Sequence, residues 1–225
     1  MNFLKYLYYM YYRPKIFFPR KSYSMFGEDL IINKIFKKKK KGIYVDVGCY
    51  HPIEGSNTYL LYKKGWKGIN IDLNKTSIDL FKIARSKDTN LHIAISNNSK
   101  NIKYYFRKNI NMLNTINLKF AKNSFLKGFK TSFIQSNTLN SILKKSNVSK
   151  GIDFLNLDIE GNELNALKSL NFGKYDPKVI CIEMHKTTGR NTSNQLKNSI
   201  LYKFLKKKGY KYFWNKEFSY IFKKK

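Results

Sequence analysis

Gly48 and Asp72 bracket the stretch of this 225-residue chain best suited to chemistry. Gly48 closes an apolar, β-branched run (43–47) and opens a loop of Gly, Pro, Ser and Asn. Asp72 lies in a second apolar run (69–73), 24 residues further on. A strand–loop–helix–strand unit of this kind lets loop backbone approach a ligand, while the acid ending the next strand accepts both hydroxyls of a ribose. The glycine trio that cradles a pyrophosphate is missing: Cys49-Tyr50-His51-Pro52 follows Gly48, and no Walker loop occurs. The expected ligand is therefore a nucleoside without pyrophosphate. S-adenosylmethionine fits, with its adenosine, sulfonium and amino-acid tail. Asp72 is expected to hold the ribose. The Gly48 loop backbone, with Asn57 or Thr58 at the next helix start, is expected to hold the carboxylate tail.

Acids are scarce, 14 against 44 basic residues, yet Asp46, Asp72, Asp158, Glu160 and Glu183 fall in or at the ends of expected core strands. Charges there are costly unless paired or used. In open α/β sheets the ligand crevice lies outside the carboxyl ends of the strands. That rule places residues 48–51, Asp72, Ser96, 158–161 and 183–185 together. The cofactor-side candidates are Asp46, Gly48, Cys49, Asn57, Thr58, Asp72 and Ser96. Asp46 serves equally well as a pin for the loop backbone. Asp158 and Glu160 also suit the positive end of the following helix. His51, alone in its loop, reads as structural. Asp158, Glu183 and His185 have ligand chemistry, but their spacing is not diagnostic and no metal is expected.

The elements that must position these groups follow from hydrophobic periodicity. Helices are expected over 24–37 (capped by Ser24), 57–64 (capped by Ser56 and stopped by Gly65), 76–85, 138–146, 163–170 and 194–208. Strands are expected at 43–47, 68–73, 91–95, 152–158 and 178–184, with a terminal hairpin of 211–214 and 218–222. Strands alternating with helices imply a doubly wound, mostly parallel α/β sheet, and the hairpin adds one antiparallel strand. That ending marks the methyltransferase variant of the Rossmann-like sheet. Residues 101–136 interrupt the rhythm with two short strands and an irregular Asn/Lys/Phe-rich segment. No acid occurs between Thr89 and Ile152, against eleven Lys and Arg. This reads as a basic insertion or lid over the binding edge, or as a surface excursion.

The length suits one domain (24–225) behind an aromatic and basic N-terminal arm (1–23). The arm lacks the small-residue cleavage site of a signal peptide. Its tyrosines suit a membrane interface or packing on the domain's own surface. No run of 18 apolar residues is present. Cys49 and Cys181 form no CxxC or metal spacing, which suits a reducing, cytoplasmic compartment. The net charge of +30 points to anionic partners, or to an AT-rich coding sequence.

The combination of motifs resembles the FkbM-type methyltransferase family over residues 22–186. It rests on Ser24-Met25-Phe26-Gly27-Glu28-Asp29, on Tyr44-Val45-Asp46-Val47-Gly48-Cys49-Tyr50-His51-Pro52 and on Ser56-Asn57-Thr58-Tyr59. Gly65-Trp66-Lys67-Gly68-Ile69-Asn70-Ile71-Asp72, the block from Ile152 to Glu163, and Val179-Ile180-Cys181-Ile182-Glu183-Met184-His185 complete it. The resemblance implies a class I, S-adenosylmethionine-dependent O-methyltransferase acting on sugar or polyketide-type hydroxyls. Asp72 stands where many relatives carry Glu. The residues expected to do the chemistry are Asp158 as base, then His185, then Glu160. The expected acceptor is a glycan or small molecule. An RNA acceptor, or a non-catalytic module holding an anionic polymer, is the alternative.

Overall fold

The computed structural model describes residues 3–11, 20–108, 111–125, 128–149, 151–184 and 196–225. Its centre is β1 (Ile43–Val47), paired in parallel with β2 (Lys67–Asp72) on one side and β7 (Phe154–Leu157) on the other. These runs are apolar throughout because both faces of the sheet are covered. Period two divides them between two cores. Val45, Val47, Leu155, Leu157, Ile180 and Ile182 face one side, which is covered by α6 (Leu139–Lys145), α7 (Glu163–Lys168), α8 (Phe172–Tyr175) and α9 (Ile200–Lys207). Tyr44, Phe154, Val179 and Cys181 face the other, against Ile32, Phe36, Leu61 and Trp66 from α2 (Glu28–Ile35), α3 (Tyr59–Lys63) and their flanks. Each such buried side chain contributes about 1.5–3 kcal/mol.

With β3 (Thr89–His92), β8 (Val179–Glu183), β9 (Tyr210–Lys216) and β10 (Ser219–Lys224), the main sheet runs β3-β2-β1-β7-β8-β10-β9. Only β10 is antiparallel to its neighbours. This is the mostly parallel, Rossmann-like sheet with an antiparallel C-terminal strand that the sequence implies. Strand order reverses at β1, so the ligand crevice belongs above the ends of β1, β2 and β7.

Three elements differ from expectation. The strand expected over 91–95 is two strands. β3 stays with β2, and the Ile93 N–H bonds to the Asp72 carbonyl at 3.2 Å; β4 (Ala94–Ile95) then leaves for a second sheet, β4-β6-β5. There β5 (Asn101–Phe106) and β6 (Lys130–Asn137) pair antiparallel. The segment read as irregular between them contains α5 (Leu118–Ser124), capped by Asn117. The first core helix begins at Glu28, not Ser24: Gly27 takes φ +91° before it, and the Ser24 hydroxyl bonds to Asp29 Oδ1 at 2.8 Å. Ahead of the sheet, α1 (Phe3–Tyr11) rests against α4 (Lys75–Ala84) through Tyr6, whose hydroxyl donates to Asp79 Oδ2 at 2.6 Å.

Candidate active site

A narrow cleft opens above β1, β2 and β7. Gly48, Tyr50, Asp72, Leu73 and Asp158 form its floor and sides, and Met112, Asn114 and Ile116 of the insertion close over it.

Gly48 takes φ +79°, and a Cβ there would lie 1.7 Å from the Asp158 carbonyl oxygen. Only glycine lets the loops after β1 and β7 touch. Tyr50 also has a positive φ, +54°, which is strained for a side-chain-bearing residue. The strain is compensated by a charge-assisted bond, because the Tyr50 N–H donates to Asp72 Oδ2 at 2.8 Å. Asp72 Oδ1 accepts the Asn74 N–H at 2.7 Å. Both oxygens are thereby oriented on the wall of the cleft. Burial raises the Asp72 pKa to about 6, while the amides of Asn74 and Tyr50 work against that rise.

The other cofactor-side candidates separate from this wall. Asp46 is buried beneath the loop, where Oδ2 accepts the Thr58 hydroxyl at 2.6 Å and Oδ1 accepts Asn156 Nδ2 at 2.9 Å. Asn57 Nδ2 donates to Asn156 Oδ1 at 2.9 Å. Cys49 is packed with Ile78 and Phe81. These four brace the loop from below. The keystone is Arg85, fully buried at the end of α4. It donates to Ser56 Oγ (2.7 Å), Thr58 Oγ1 (2.8 Å) and the Pro52 carbonyl, and its guanidinium lies over the Phe81 ring at 4.8 Å. Sequence reasoning missed Arg85, one of 44 basic residues with no local signal. Ser96 lies along the edge in a second, more open depression that shares Asn162 and Ile116 with the first.

Past Asp158, which lines the cleft, acids cluster. Asp158 follows β7, Glu183 ends the adjacent β8, and Glu160 sits in the turn between β7 and α7. One carboxylate oxygen from each lies within 4.8 Å of the others. Burial raises the Asp158 carboxyl well above the usual range; repulsion from Glu183 and a hydrogen bond between the two acids push the same way, and Glu160 and Glu163 add to it. A proton shared by Asp158 and Glu183 is the physical consequence. Glu160 is held at φ +56°. Glu163 fixes that turn by accepting the N–H groups of Ile159 and Gly161 at 3.1 Å. The insertion fastens to the same turn: Thr115 Oγ1 donates to the Glu160 carbonyl at 2.9 Å, and Asn117 Nδ2 to the Gly161 carbonyl at 3.0 Å. His185, expected as an alternative base, lies outside the described residues.

A sheet in this order, with a cleft at its switch point, defines a Rossmann-like methyltransferase fold. The methyltransferase FkbM domain matches residues 46–212. The chain belongs to that family and is a methyltransferase. No curated protein matches it closely enough to narrow the acceptor.

Proposed function

We propose that this protein transfers a methyl group from S-adenosylmethionine to a hydroxyl of a glycan or related small molecule. One observation carries the reading: a single cleft has Asp72 on one wall and Asp158 on another. The residues fit the donor. Gly48 and Tyr50 line the cleft beside Asp72, whose oriented oxygens suit a ribose diol. Leu73, Ile93 and Ile95 offer an apolar face for a base. When bound, the donor supplies an electrophilic methyl group on a sulfonium.

The chain's own residues then do two things. Gly48, Tyr50 and Asp72 fix the donor's orientation, and such positioning is worth ~7–11 kcal/mol of barrier. Asp158, in its ionised form, takes the proton of the acceptor hydroxyl, a contribution of about 10²–10⁴-fold. Its elevated pKa, sustained by burial and Glu183, makes it a stronger base than an exposed aspartate. With the shared proton on Glu183, Asp158 accepts the acceptor's proton and both acids end neutral. The insertion, with seven basic and no acidic side chains between 101 and 136, favours an acceptor bearing negative charge.

Calorimetry with S-adenosylmethionine, followed by labelled methyl transfer to glycan, lipid, RNA and protein fractions, tests the reading. Heat on mixing and label in a glycan or small-molecule fraction support it. Absence of heat and of a thermal shift overturns it, and label in RNA alone moves the acceptor to nucleic acid.

A further inference from the structure

The face of α1 turned away from the protein has no role in the chemistry above. Leu4, Leu7, Tyr8 and Tyr11 recur at the i, i+3, i+4, i+7 spacing that puts them on one side of a helix. Leu4 is 69% exposed and Tyr8 62%, and Leu7 and Tyr11 are exposed with them. The opposite side is committed. Met10 is buried, Tyr6 is bonded to Asp79, and the Tyr9 carbonyl lies 3.3 Å from His51 Nε2. The apolar stripe therefore does not result from a helix that failed to dock. Docking fixes which side looks out. Ile83, one turn from Asp79 along α4, is also exposed.

The sequence around α1 is basic. The first 27 residues hold five basic side chains and no acid. Lys75 and Lys82 flank Asp79 on α4, and both are mostly exposed. Asp79 is held below the usual carboxylate range despite partial burial, because Lys75, Tyr6 and Lys82 all favour its ionised form. An apolar, tyrosine-bearing helix face on a chain of net charge +30 suits an anionic interface, where apolar burial and attraction to headgroups add. Tyrosine is also a side chain that settles at the headgroup level.

From this we infer that α1 docks the protein on an anionic lipid surface, with Leu4, Leu7, Tyr8 and Tyr11 entering the headgroup region. The inference does not depend on the identity of the acceptor. It makes the protein a peripheral membrane protein, since no described helix is long and apolar enough to cross a bilayer.

Sedimentation of the full chain with vesicles tests it. The expected result is binding to vesicles of equimolar phosphatidylglycerol and phosphatidylcholine, and much weaker binding to phosphatidylcholine alone. The double variant Leu4→Gln, Tyr8→Gln should bind the anionic vesicles at least ~10-fold less tightly, given the apolar area it removes. Both side chains are exposed, so its melting temperature and S-adenosylmethionine binding should match the parent chain. Failure of the parent chain to bind anionic vesicles overturns the inference. Undiminished binding by the double variant also overturns it, because charge elsewhere would then suffice. A shift from dimer to monomer in the variant assigns the face to a second copy of the chain, and likewise overturns it.

Discussion

The two ends of the cleft treat buried acid in opposite ways. Under the loop after β1, Asp46 and Asp72 are surrounded by donors: backbone amides, the Thr58 hydroxyl, the Asn156 amide and, one bond further, the Arg85 guanidinium. Beyond β7 and β8, Asp158, Glu160 and Glu183 crowd one another. Hydrogen-bond donors fix a charge in place and make it a rigid handle. Like charges in a low dielectric leave a proton that is easily given and taken. Under the proposed function the contrast becomes a division of labour, with holding on one side and proton handling on the other.

The contrast breaks most readily at Asp158. Asp158→Asn should slow methyl transfer by roughly 10²–10⁴-fold while S-adenosylmethionine binds as before. Calorimetry beside a rate assay checks this, and loss of donor binding would erase the proposed division. On the holding side the largest effect falls on stability. Arg85→Met strands the groups that bond to a buried cation and should cost about 3–5 kcal/mol in denaturant unfolding. An equal loss in Asp158→Asn would show that the two ends are not distinct.

Asp72→Ala comes next. It removes a charged acceptor and should raise the donor's Kd by roughly 10- to 100-fold, from about 1.5–3 kcal/mol for a hydrogen bond to a charged group. The same group sets a pH dependence. With its pKa raised to about 6, Asp72 is a carboxylate above that pH and neutral below it. Donor affinity should therefore fall as pH drops through 6, and a flat titration from pH 7.5 to 5, all values about these, would remove Asp72 from ribose binding.

The smallest and most diagnostic effect belongs to Glu183→Gln. Removing a like charge lets the Asp158 pKa drop, so the acid limb of the rate profile should move to lower pH. An unmoved limb would mean that Glu183 does not share the proton.

The central sheet was legible because its parallel strands are buried on both faces and read as unbroken apolar runs; 43–47 is the plainest case. The break at Ile93 was not. β4 is only two residues long, and its partner β6 starts far along the chain, so no local pattern marks the switch of sheets. α5 depends on Asn117, whose side chain also ties the insertion to Gly161, a tertiary contact that sequence does not display. At the site, the strand-end acids stood out because acids are rare here and charges in core strands are expensive. Which of them face the cleft was not legible. Asp46 and Asp72 both belong to apolar runs, and only the pleat and the Thr58 and Arg85 network send one below the loop and the other into the cavity wall. The pairing of Asp158 with Glu183 required knowing that β7 and β8 are neighbours.

The contact between Gly48 and the carbonyl of residue 158 acts as a gauge block. Main chain rests on main chain there, so the span from the Asp72 wall to the acidic wall is fixed without any side chain that substitution could lengthen or shorten. The roof contributed by 111–116 can then vary, residue by residue, without moving the walls beneath it.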